Sequence, residues 1–275
     1  PLFFFKPMTA YELMPSLVGA EMCIRDSIWA PNIPEWLLME YACALAGIVL
    51  VTANPAYQAK ELRYVLEQSG SVALFLVESY RGNPMSEIAI AASEGLDVLR
   101  EIVDLENFSA LYRRQQPTPS LPVVLPTDAA QIQYTSGTTG NPKGVELTHD
   151  NFEAEIAGVS AIAKFDQGDG YVSWLPCAHV FGQLADNHIW IRDAMHMRVV
   201  SSPLESIDYA KEVEPSLFIG VPRIYEKVYS NLVAGLGSKV KWLSLPILKG
   251  IVRKKAKQKL SLIHISEPTR LGMIS

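Results

Sequence analysis

The chain has 275 residues, a net charge of −5 and 49% apolar content, enough to bury a sizeable core and ordinary for a globular protein. The acidic balance gives no argument for a nucleic-acid partner. Three cysteines are too few for a disulfide framework or a cysteine metal cluster. The apolar stretch from Trp36 to Ala53 is interrupted by Glu40 and Gly47, too short and mixed for a membrane span.

The two ends come first in chain order and share a peculiarity. "EMCIRDS" at 21–27 and "LSLIHIS" at 260–266 are compatible with one DNA sequence read from opposite strands. Both also resemble translated sequencing-adaptor DNA. Residues 1–27 and 260–275 are therefore expected to be adaptor-derived and to carry no function, which removes Cys23 and His264 as site candidates. The native part is expected to run from Ile28 to Lys259 and to be a fragment. Cys43 and Cys177 then read as buried thiols in a reducing compartment.

From Ile28 the pattern alternates. "PEWLLMEYACALAG" has helical spacing and ends at Gly47, and "IVLVT" follows as a strand. "AKELRYVLEQSG" is an amphipathic helix closed by Gly70, with "VALFLV" and "REIVDL" as strands after it. The first α/β part is expected over 28–116, then a proline-rich connector over 117–128 and a second part over 129–259. In that second part "AAQIQYT" is a strand feeding a glycine-rich loop. Asp150 and Glu153 read as a capping pair for a helix through Ile162. "YVSWLP" is a strand, "SIDYAKEV" a helix, "SLFIGV" a buried strand and "PRIYEKVYSNLV" a helix with proline in its first turn. Strands separated by helices of this length predict an α/β fold with mainly parallel sheets flanked by helices.

The glycine-rich run "YTSGTTGNPKGVELTH" is suited to holding phosphate. Gly137, Gly140 and Gly144 let successive N–H groups converge on one concavity. Thr135, Ser136, Thr138 and Thr139 add hydroxyls, and Lys143 adds a point charge. The Walker pattern does not fit. Pro142 stands where that loop needs an N–H donor, and Gly144 stands where a magnesium-binding hydroxyl should follow the lysine.

The same run resembles the phosphate loop of the adenylate-forming (AMP-binding) enzyme superfamily. "LPCAHVFGQ" and "PSLFIGVPRIYEKVY" are similar to the long-chain fatty acyl-CoA synthetase branch, and the resemblance spans residues 28–259. It implies a partial N-terminal domain of an adenylate-forming enzyme, with ATP, Mg²⁺ and coenzyme A as partners in activating a fatty acid. Thr135, Ser136, Gly137, Thr138, Thr139, Gly140, Lys143 and Gly144 would hold the nucleotide's phosphates. Thr138 and Lys143 would act in catalysis with His179, the residue expected near the reacting carboxylate. Val180, Phe181 and Gly182, with Gly220, Val221 and Pro222, would border the acyl site, and Arg223 matches the branch's "VPR" arginine. Metal and ribose ligands are expected beyond the chain's end, so no metal ligand is assigned within it. The chain by itself is expected to turn over little.

Rival readings remain. An aryl- or short-chain acid ligase of the same superfamily is one, against which "VPRIYEKVY" and "AHVFGQ" argue; "LADNHIWIRDAMHM" is more polar than the branch implies, which leaves the acyl chain length open. The basic, Trp242-containing stretch 239–259 could make peripheral membrane contact as a lipid-binding element, although a solvated helix explains it too. A cytoplasmic or membrane-associated location follows from these expectations. His188 and Asp193 form an H-x4-D pair of the kind acyltransferases use. No phosphate-binding partner motif accompanies it, and chance accounts for the spacing.

Overall fold

The computed structural model describes residues 24–107, 121–135, 142–162, 164–183, 188–202, 205–216, 218–226 and 230. The chain enters through β1 (Arg25–Trp29), which begins ahead of the boundary expected at Ile28. Asp26 and Ser27 are both buried in it. α1 (Pro34–Ala46) starts with proline, where a missing N–H does no harm. It stops at Gly47, whose φ of 67° suits a residue without a side chain. A Cβ there would also lie 3.3 Å from the Pro122 ring, so the proline-rich segment passes against the end of α1.

β2 (Val49–Thr52), α2 (Ala59–Ser69), β3 (Ala73–Leu76), α3 (Met85–Ser93) and β4 (Glu101–Asp104) continue the alternation. β5 (Ala129–Thr135), β6 (Lys143–Thr148) and α4 (His149–Ile162) follow. The six strands form one sheet in the order β4-β3-β1-β2-β5-β6. Neighbours run parallel except β5 and β6, which are antiparallel. β7 (Gly170–Ser173) and β8 (His196–Val199) make a second, parallel pair. The short helices α5 (Val180–Gly182) and α6 (Ile189–Arg192) lie between them in sequence, and α7 (Ser206–Val213) follows.

α1 packs toward both sheets. Trp36, Met39 and Cys43 pack into the core of the six-stranded sheet, together with Trp29, Leu62 and Leu74. Leu37, one position round the helix, packs instead with Tyr171, Ile189 and Trp190 beside the second sheet. Complete burial of such side chains stabilises by about 1.5–3 kcal/mol each, so α1 contributes to both cores at once.

The predicted α/β architecture and its mainly parallel strands are present. Two local expectations change. The Thr148 N–H bonds Asn151 Oδ1 at 3.0 Å and the Asn151 N–H bonds Thr148 Oγ1 at 3.3 Å. This reciprocal pair caps α4 in place of Asp150 and Glu153. "SLFIGV" is not a strand over residues 218–221: once the Ser216 N–H has bonded the Gly170 carbonyl at 2.9 Å, the chain leaves the sheet. Helix α3 and strands β6 and β8 lay outside the predicted elements.

Candidate active site

The glycine-rich run begins at the end of β5 and continues into β6. Thr135 ends β5 and faces Lys143, the first residue of β6, in the strand register. The run therefore connects two antiparallel strands; the expected direct passage from strand to helix is corrected, because β6 intervenes before α4. Ser136, Gly137, Thr138, Thr139 and Gly140 lie outside the described residues. Lys143 and Gly144 are exposed strand residues, so the lysine projects from a hydrogen-bonded ladder. Tyr134 flanks this entrance: a Cβ on Gly144 would approach its ring carbon Cζ to 3.2 Å. Burial pushes the Tyr134 hydroxyl up to about 12, with Tyr64 and Tyr57 adding to the rise and Arg25 opposing it. At neutral pH it is an uncharged phenol.

The "LPCAHVFGQ" segment lies across the C-terminal ends of the parallel strands, and three side chains hold it there. Asn32, just past β1, donates from Nδ2 to the Leu175 carbonyl at 2.6 Å and accepts the Cys177 N–H on Oδ1 at 2.9 Å. Thr52, the last residue of β2, donates to the Ala178 carbonyl at 3.4 Å. Gln133 of β5 donates to the side chain of Gln183, and both are buried. In open α/β sheets this carboxyl edge is where ligands bind. The strand that leads into the glycine-rich run and the His179 segment are thus brought together at one edge.

Within the segment, His179 is the N-cap of α5. Its Nδ1 accepts the Phe181 N–H at 3.2 Å, and its carbonyl accepts the Gln183 N–H at 3.1 Å. An accepting Nδ1 leaves Nε2 as the nitrogen available to a ligand. His179 and Phe181 are exposed, Val180 is half-buried and Gly182 is buried. Gly182 has no room for a side chain: a Cβ would sit 2.3 Å from the Pro176 carbonyl oxygen. The glycine lets the turn close on itself and present His179 and Phe181 outward.

Gly220 is half-buried, while Val221, Pro222 and Arg223 are exposed. The segment is anchored on Trp174, whose indole N–H bonds the Ile219 carbonyl at 2.8 Å and whose ring stacks on Phe218. A Cβ at Gly220 would meet Ile224 at 2.8 Å and Trp174 at 3.2 Å. Since Trp174 immediately precedes Leu175, both expected acyl-site segments start from the same step.

Asn32, Gln133 and Gln183 were not among the predicted site residues. Nor was Glu40, whose carboxylate lies 3.1 Å from His188 Nε2. His188 and Asp193 are engaged separately: His188 turns to Glu40, while Asp193 takes the Arg192 guanidinium, its Oδ1 accepting from Nε at 2.8 Å. Cys43 and Cys177 are both buried and neither is in a disulfide, and burial pushes the Cys43 thiol well above its ordinary range. The basic stretch 239–259 lies outside the described residues.

Comparison with known proteins identifies the family. The sequence matches the family described as "AMP-binding enzyme" over residues 18–262. A peroxisomal long chain acyl-CoA synthetase 7 of Arabidopsis thaliana is 30% identical over 241 residues, covering 82% of this chain and 33% of that protein. The long-chain-fatty-acid–CoA ligase FadD15 of Mycobacterium tuberculosis is 29% identical over 231 residues, covering 78% of this chain and 37% of its own length. The chain thus spans about a third of the length of these relatives. Among solved structures, the inhibitor-bound N-terminal domain of FACL13 from Mycobacterium tuberculosis superposes with a TM-score of 0.69 at 21% identity. That match covers 78% of this chain and 55% of the other. ATP-bound MatB from Rhodopseudomonas palustris gives 0.68 at 22% identity, covering 80% and 44%. The chain belongs to the AMP-binding enzyme family.

Proposed function

We propose that this chain is the nucleotide- and acid-binding part of a fatty acid–CoA ligase that forms AMP. In the first step the acid's carboxylate oxygen attacks the α-phosphorus of ATP, and pyrophosphate leaves. In the second, the sulfur of coenzyme A attacks the acyl carbon and AMP leaves. The observation that carries this reading is the docking of the His179 turn onto the same sheet edge from which β5 enters the phosphate loop. Acid and phosphate can then meet without a covalent enzyme intermediate.

In this reading Lys143, Thr135 and the residues from Ser136 to Gly140, Thr138 among them, neutralise the departing pyrophosphate. Gly144 keeps the strand free of a side chain under Tyr134. His179 presents Nε2 toward the carboxylate, and Val180, Phe181, Gly182, Gly220, Val221 and Pro222 border the acyl chain. Magnesium would accompany ATP and lower the charge on its phosphates. Among the described residues no cluster of three His, Cys, Asp or Glu could hold it, so no ligand is assigned.

ATP–pyrophosphate exchange tests the reading. It is to be measured with fatty, aryl and short-chain acids, on this chain and on its gene extended to the length of the relatives. Exchange by the extended protein with long-chain fatty acids is the expected result. Exchange supported by aryl or short-chain acids alone would replace the fatty-acid substrate with the rival class.

A further inference from the structure

A line of buried polar side chains runs from α1 to the His179 turn, and none of them belongs to the site as proposed. Gln131 Nε2 donates to Glu40 Oε1 at 2.9 Å, and Gln133 Nε2 donates to Gln131 Oε1 at 3.1 Å. Gln133 Nε2 also donates to Gln183 Oε1. All four side chains are buried, none more than 4% exposed. Gln131 and Gln133 alternate along β5 and so share one face of the strand. The same Glu40 oxygen faces His188 Nε2 at 3.1 Å, and the imidazole is held against the rings of Phe152 and Tyr41.

The direction of this chain is not free. A carboxylate only accepts hydrogen bonds, so Gln131 must turn its NH₂ group toward Glu40. Its carbonyl oxygen then faces Gln133 and demands a donor. The two N–H bonds of Gln133 go to Gln131 and Gln183, which fixes the amide of Gln183 with its oxygen inward. Each orientation is dictated by the one before it, and the origin is the acceptor-only group at Glu40. Buried hydrogen-bonded networks of this kind favour one arrangement, because reversing an amide breaks its bonds in a low-dielectric interior; Gln183 Nε2, at the far end, has no partner among the described residues.

We propose that Glu40 is a positioning residue for the His179 turn, acting through Gln131, Gln133 and Gln183. It fixes the direction of the amide chain and so holds α5 against the carboxyl edge of the sheet. Its bearing on catalysis rests on the role proposed above for His179, whereas the placement of the turn does not.

The test is hydrogen exchange followed by NMR on this chain, with no acid, ATP or coenzyme A present. It compares the unaltered chain with Glu40→Gln and Glu40→Asp. Glu40→Gln preserves shape but can donate as well as accept, so the amide direction becomes degenerate. Glu40→Asp is shorter but remains acceptor-only. At the amides of Phe181 and Gln183, exchange should accelerate at least tenfold in Glu40→Gln and less in Glu40→Asp. The Leu74 and Phe75 amides in β3 should be unaffected in both. A space-filling role for Glu40 demands the reverse order of the two variants, and that order overturns the proposal. So does unchanged exchange at Phe181 and Gln183, or equal acceleration in β3. Should Glu40→Gln fail to fold, Gln183→Leu removes the far end of the chain with Glu40 intact. It must then release Phe181 without releasing β3, and a protected Phe181 amide in that variant is equally fatal. Failure of pyrophosphate exchange would leave these results standing.

Discussion

Asn32 and Cys177 meet across 145 positions of sequence, the Asn32 Oδ1 accepting the Cys177 N–H at 2.9 Å in a buried setting. The other half of the same amide donates to the Leu175 carbonyl. One side chain therefore satisfies two backbone groups of the segment that leads into His179.

Replacing Asn32 by Leu takes this partner away from two buried backbone groups. Each such group costs about 1–3 kcal/mol, so urea unfolding should show a loss of about 2 kcal/mol or more. An unchanged denaturation midpoint would mean that the segment satisfies those groups elsewhere.

Gly182→Ala places a methyl group against the Pro176 carbonyl oxygen, at 2.3 Å before any adjustment. Overpacking of this kind costs about 1–3 kcal/mol, and the turn is where it can be relieved. Calorimetry should show a lowered melting temperature. Titration with a non-hydrolysable acyl-adenylate analogue should show at least tenfold weaker binding. Retained affinity in a folded variant would separate the turn from the site.

Lys143→Ala removes an exposed charge from the start of β6. Surface changes of this type alter stability by no more than about 0.5 kcal/mol. Isothermal titration with ATP should nevertheless show a loss of at least tenfold in affinity. Equal affinities for the variant and the unaltered chain would remove Lys143 from the phosphate site.

Asp26 makes stability depend on pH. Burial in β1 raises its carboxyl from 3.8 to about 7; the neighbouring Glu101 charge adds to the rise, and a bond from the Ala73 backbone opposes it. Its Oδ1 has no partner among the described residues. The folded state holds this proton more tightly than the unfolded chain does. The associated stability is therefore complete below about pH 3.8 and is lost as pH rises through 7. A proton held that much more tightly corresponds to a loss on the order of 4 kcal/mol. Melting curves from pH 4 to 8 should show Asp26→Asn gaining on the unaltered chain as pH rises. Parallel curves would show that the carboxylate is solvated.

The legible parts of the fold were local. Gly47 and Gly70 end their helices as the spacing implied, and the apolar runs of β2 and β3 are strands in the core. The resemblance carried by "LPCAHVFGQ" pointed to a segment that Gln133 of β5, the strand leading into the glycine-rich run, holds through Gln183. Long-range polar pairing was not legible. In "AAQIQYT" alternation suggests that Ile132 and Tyr134 point inward and the glutamines outward, yet Gln131 and Gln133 are the buried pair. Their partners, Glu40 and Gln183, lie 91 and 50 residues away, and no periodicity spans that distance. Glu40 itself stood out as a charge in an apolar helix, but its sequence neighbours gave no hint of what it meets.

The clasp formed by Asn32 and Thr52 on the 175–178 stretch has a kinetic corollary. These bonds join residues 126 to 145 positions apart, so closing them requires ordering an unusually long span of chain. Such contacts form slowly, whereas the β1–β4 region can assemble from short crossovers. Refolding should thus produce the scaffold first and competence for nucleotide afterward, with a lag between recovery of far-ultraviolet ellipticity and recovery of ATP affinity.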